Sequence, residues 1–141
     1  MIRFVVDASS IGPILLQDEA KSLVAQLDEA LVLGECIVPA HWHFEVANMM
    51  LAAIRRGRIA LSHARAGLAQ IASLDVPSDH DSIEAAPGRT FDLATQHTLS
   101  IYDAAYLELA MRMNLSLISN DRALVVAAQA EGLQVITGIA S

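Results

Sequence analysis

Short, largely apolar segments alternating with helical ones predict an α/β protein, a three-layer α/β/α sandwich with a central parallel sheet. Residues 2–6, 36–38, 115–118 and 133–136 have strand length and composition, and helical sequence separates most of them, as crossovers between parallel strands require. The 141 residues, with 54% hydrophobic and 18% charged, suit a single domain spanning 1–141. That length buries roughly two thirds of the surface of its unfolded chain.

Residues 2–6 read as a buried strand, after which Ser9 and Ser10 offer caps for helical sequence that runs, with a break near Gln17, to about Leu33. Residues 36–38 form a second strand, ended by Pro39. Residues 42–54 are apolar nearly all round and so make a core helix, which Gly57 ends. Residues 61–74 read as a helix, 75–82 as a turn-rich region with a short strand around Val76, and 89–98 as a helix. Ser100 and Asp103 have capping-box spacing and open the next helix. On its wheel Asp103 points with Tyr106, Leu107 and Ala110, while Glu108 and Arg112 fall opposite as an i,i+4 ion pair. A strand at 115–118, a helix at 123–130 stopped by Gly132, and a strand at 133–136 complete the chain.

Neither apolar stretch near the start approaches the length of a membrane span, because Asp7 breaks one and Gly34 and Glu35 break the other. The start also lacks the uninterrupted apolar core of a signal peptide, so cytoplasmic residence is expected. One cysteine, Cys36, excludes an internal disulfide and a multi-cysteine zinc site. The net charge of −7 argues against non-specific nucleic-acid binding through a broad basic surface. Arg55, Arg56 and Arg58 form a local basic cluster, suited to the negative end of a helix or to nucleic-acid or partner contact.

In open α/β sheets ligands bind beyond the carboxyl ends of the strands. Asp7 directly follows the first strand, and Asp121 follows the strand at 115–118. Each fits a turn or helix cap if taken alone. Glu45 and Asp103 lie on otherwise apolar helix faces, Glu45 with Asn48 beside it. Convergence on one pocket would give all four acids a common reason. Clustered carboxylates raise one another's pKa unless cations offset them, and their hard oxygens suit Mg²⁺ or Mn²⁺. One or two such ions can activate water and stabilise the leaving oxygen of a phosphodiester.

Asp7-Ala-Ser-Ser, Glu45-Val-Ala-Asn, Ile101-Tyr-Asp-Ala-Ala-Tyr-Leu and Ser119-Asn-Asp-Arg-Ala-Leu, in this order, resemble the PIN-domain ribonucleases, specifically VapC-type toxins of toxin–antitoxin pairs. The resemblance runs from about Phe4 to Ile136. It implies a metal-dependent endoribonuclease whose acidic quartet is Asp7, Glu45, Asp103 and Asp121, with Asp7 and Asp103 as the closest metal ligands. It further implies a supporting Ser9 and Asn48, a VapB-type antitoxin as partner, RNA as substrate and a homodimer.

Rival readings are a PIN-like module that binds without cleaving and a phosphoryl-transfer α/β domain. The latter resembles sites that use a lysine near the phosphoryl group, whereas Lys21 is the one lysine and position 9 is Ser rather than a second Asp. A Gly-rich phosphate loop and a Gly-x-Ser-x-Gly elbow are both missing. His41 and His43 diverge at i,i+2 and make a poor metal pair. Asp79, His80, Asp81, Asp92 and His97 read as solvated polar residues.

Overall fold

Phe4-Val5-Val6, all buried, form the middle strand of a five-stranded parallel sheet in a computed structural model that describes residues 1–16 and 21–138, the side chains of 21–24 excepted. The elements are β1 (Phe4–Val6), a 3-10 turn (Ala8–Ser10), α1 (Gly12–Leu15), α2 (Lys21–Val32), β2 (Cys36–Pro39), α3 (Trp42–Arg55) and α4 (Leu61–Ser73). Then follow β3 (Ser78–Asp79), α5 (Asp81–Ala85), a π-helical turn (Ala86–Thr90), α6 (Phe91–His97), α7 (Ile101–Met113), β4 (Ser116–Ile118), α8 (Arg122–Ala130) and β5 (Val135–Ile136). The predicted break near Gln17 lies outside the described residues, as does the side chain of Lys21.

The strand order is β3-β2-β1-β4-β5. The chain therefore builds outward from β1 on one side, then returns to build on the other. Phe4 pairs with Cys36 across one edge of β1 and with Ser116 across the other. The reversal of winding opens a crevice beside the carboxyl ends of β1 and β4, the switch point at which α/β sheets bind ligands. The predicted three-layer α/β/α architecture is thus the observed one.

Several local expectations need correction. The strand expected around Val76 forms at Ser78–Asp79, where Ser78 pairs with Val38 and Asp79 with Pro39. Helical structure also begins before Arg89, at Asp81, and passes through the π-helical turn, which Pro87 and Gly88 conceal in the sequence. Most consequential is α7, where every residue from Ala104 to Ala110 is buried, Glu108 included. One side of α7 packs on β1, β2 and β4, while α5, α6 and the π-helical turn also pack against it. The side opposite Asp103 is therefore a second interface.

The Glu108–Arg112 pair does form, with Arg112 Nε 2.7 Å from Glu108 Oε1. The same guanidinium reaches Asp79 Oδ2 at 2.5 Å, so Asp79 is a buried, paired carboxylate rather than a solvated one. This fork–fork contact fixes the edge strand β3 to α7. His97 likewise finds a partner, Glu131, at 3.3 Å.

Candidate active site

The backbone N–H of Asp7 donates to Ile118 O, continuing the β1–β4 pairing one step past the strand. The Asp7 side chain is held by serines from two elements: Ser9 Oγ donates to Oδ2 across 2.6 Å and Ser119 Oγ to the same oxygen across 2.7 Å. Ser9 Oγ in turn accepts from Asn120 N, and Ser119 Oγ from Asp121 N. Ser10 Oγ donates to both Asp7 O and Ile118 O. These bonds stitch the ends of β1 and β4 together and fix the orientation of a carboxylate with only 3% of its surface exposed.

Each remaining acid has a local reason for its position. Asp121 caps α8, its Oδ1 accepting from Leu124 N. Asp103 lies in the first turn of α7, where Ser100 Oγ accepts from its backbone N–H at 3.1 Å. Glu45 lies in the first turn of α3, favoured by the positive end of the helix dipole. These local roles coexist with a shared one, because Asp7, Glu45, Asp103 and Asp121 line a single cavity of about 230 Å³ together with Ser9 and Asn48.

The electrostatics reflect that crowding. Burial pushes the Asp7 carboxyl up to about 6, the two serine hydroxyls pull it partly back, and the Asp103 charge raises it further. Burial also raises Asp103, with Asp121 and Glu45 adding repulsion. Glu45 shifts the other way: burial raises it, but His41 and Tyr106 outweigh that effect. The Tyr106 hydroxyl donates to Glu45 Oε1 across 2.5 Å. His41 Nε2 lies 3.1 Å from the same oxygen, close enough for charge attraction but not aligned as a hydrogen bond.

Tyr106, His41 and Ser119 are the residues that sequence reasoning did not place in the site. Signals for them existed. Tyr106 shares the wheel face of Asp103, His41 precedes Glu45 by one helical turn, and Ser119 directly follows β4. In the opposite sense, Arg55, Arg56 and Arg58 are exposed at and just past the far end of α3, roughly 15 Å along the helix from Glu45. The fold does not bring them into the acidic cavity. Asn48 is exposed at its rim, and His43 is exposed against Trp42, apart from His41.

The donor set suits a hard divalent cation, since carboxylate and hydroxyl oxygens are what Mg²⁺ and Mn²⁺ prefer. Among the described residues no three acidic, imidazole or thiolate side chains are gathered tightly enough to cage an ion by themselves. Mg²⁺ does not require such a cage, because it commonly takes one or two carboxylates and retains several waters. An open cavity with mutually repelling carboxylates fits that mode.

The family description "PIN domain" matches residues 4–137. Ribonuclease VapC3 of Pyrobaculum aerophilum is 30% identical over 131 residues, covering 87% of this chain and 92% of that protein. Among solved structures, PAE2754 from Pyrobaculum aerophilum superposes with a TM-score of 0.70 at 22% identity, over 96% of this chain and 89% of that one. FitAcB from Neisseria gonorrhoeae gives 0.58 at 16% identity, over 94% of this chain and 96% of that one. The family match and the resemblance to a ribonuclease agree with the observed topology: the chain belongs to the PIN-domain family and is similar to a ribonuclease of the VapC type.

Proposed function

We propose that the protein is a Mg²⁺- or Mn²⁺-dependent endoribonuclease toxin of the VapC type, restrained by a VapB-type antitoxin and working as a cytoplasmic homodimer. The observation that carries this reading is the meeting of four carboxylates, from just past β1, from α3, from α7 and from the β4–α8 turn, in one cavity at the switch point of the sheet. The 30% identity to a ribonuclease supports the substrate class.

Asp7 and Asp103 are the residues assigned to hold the ion, with Glu45 and Asp121 completing the acidic shell. When bound, such an ion supplies charge that offsets the carboxylates, activates water and stabilises a phosphodiester's leaving oxygen. Ser9 and Ser119 keep the Asp7 carboxylate in one orientation. Tyr106 and His41 keep Glu45 ionised. Asn48 offers an amide at the rim for the ribose-phosphate chain. The arginine cluster is assigned to more distant RNA backbone or to antitoxin contact. Among the described residues no helix is long and apolar enough to cross a membrane.

The test is cleavage of total bacterial RNA, structured tRNA included, by purified antitoxin-free protein with Mg²⁺ or Mn²⁺. EDTA and Asp103→Asn serve as controls. Discrete fragments absent from both controls are expected. Intact RNA alongside measurable Mn²⁺ binding would refute the nuclease activity, and absence of Mn²⁺ binding as well would favour a PIN-like module that only binds.

A further inference from the structure

A second cavity, of about 220 Å³, adjoins the acidic one. His41 bridges the two, lining the second while standing 3.1 Å from Glu45 of the first. Its walls are mainly apolar, supplied by Ile83, Ala86, Ile101 and Ala105, with Tyr102 exposed beside it. Tyr102 immediately precedes Asp103 and meets the His41 ring edge-on at 5.5 Å. Thr90, 1% exposed, also lines the cavity, and its Oγ1 has no hydrogen-bond partner.

Among the buried hydroxyls of the described residues Thr90 Oγ1 is the one without a partner, while the buried ring nitrogens His41 Nε2 and Trp42 Nε1 also lack one. Ser73, Ser82 and Thr95 each donate to the carbonyl three residues earlier, the ordinary outlet for a helical hydroxyl. Thr90 ends the π-helical turn, a distortion that recurs at functional sites. An apolar cavity with a few buried polar groups, here Thr90 Oγ1 and His41 Nε2, is the usual form of a small-ligand pocket.

We propose that this cavity receives one nucleobase of the RNA, next to the phosphodiester held in the acidic cavity, and that Thr90 Oγ1 hydrogen-bonds to the base edge. This subsite rests on the ribonuclease reading above. Its walls cover the base faces, Tyr102 offers a stacking edge, and the hydroxyl distinguishes base edges. Charge makes such a subsite useful. The chain carries a net −7, and neither cavity is lined by lysine or arginine, so attachment near the cut needs contacts other than phosphate pairing.

The test measures binding of fluorescent A, C, G and U homopolymeric RNA hexamers to the Asp103→Asn protein, without requiring cleavage. One base is expected to be preferred. Thr90→Val should reduce that preference roughly fivefold, the equivalent of one neutral hydrogen bond, while Thr90→Ser retains it. Tyr102→Ala should weaken all four hexamers. Equal binding of the four, or an unchanged preference in folded Thr90→Val, would overturn the subsite. Loss of a dimer in Ile83→Asp with RNA binding intact would instead assign the cavity to contact between chain copies. Metal-dependent cleavage by the wild type is scored separately: cleavage without base preference defeats only the subsite, and selective binding without cleavage defeats only the nuclease reading.

Discussion

The phenol oxygen of Tyr106 donates to Oε1 of Glu45 across 2.5 Å, joining the middle of α7 to the first turn of α3. The same oxygen lies 3.4 Å from the backbone N–H of Ala8, which donates to it just after Asp7. One buried hydroxyl therefore couples two of the four acids. Tyr106→Phe should cost about 1–2 kcal/mol, because it removes one short charge-assisted bond and leaves Ala8 N–H unpaired. The loss is read from urea melts. NMR titration should show the Glu45 pKa rising, and calorimetry should show weaker Mn²⁺ binding.

Metal-free stability should fall as pH rises from about 4 to 6. The folded Asp7 carboxyl titrates near 6, above its ordinary 3.8, so within that window the folded state retains a proton that the unfolded state has released. Stability falls wherever the folded state binds more protons, here by roughly 3 kcal/mol in total for Asp7. Asp103 shifts in the same direction, while Glu45, lowered on folding, opposes them. Melts in EDTA across this range should show the decline, and Asp7→Asn should flatten it. A wild-type profile that rises through the window would contradict the shift.

Asp103→Asn should keep or raise the melting temperature in EDTA, since it removes one of the repelling charges. The helix cap survives the substitution, because Ser100 Oγ bonds the backbone N–H of Asp103 and not its carboxylate. Excess Mn²⁺ should then stabilise only the wild type, by about 2.7 kcal/mol at a hundredfold excess over Kd. Destabilisation of the variant in EDTA would give the carboxylate a structural role instead.

Arg112→Ala should be among the most damaging single changes, at about 3 kcal/mol. It strands two carboxylates, Asp79 and Glu108, whose side chains are 9% and 4% exposed. The loss should appear in urea melts. Mn²⁺ affinity of the protein that remains folded should stay unchanged, since the clamp lies on the side of α7 facing β3 and not in the acidic cavity.

Much of this protein is legible in the order of its residues. Apolar runs of strand length ending in Asp7, or shortly before Asp121, place acids at the carboxyl ends of β1 and β4 by backbone periodicity alone. The helical spacing of Ser100 and Asp103 likewise sets the start of α7. Such features depend on neighbours a few residues away, which the sequence states directly. Tertiary structure decided what depends on distant neighbours. Burial of Glu108 and Asp79 follows from packing on both sides of α7, which a single helical wheel does not contain. The bonds from Ser119 to Asp7 and from Tyr106 to Glu45 span 112 and 61 positions of the chain, and they set the tilt of each carboxylate and its proton affinity. Residue order thus places acids at the carboxyl end of the sheet, whereas their sharing of one cavity comes from the fold, because desolvation and repulsion act through space and not along the chain.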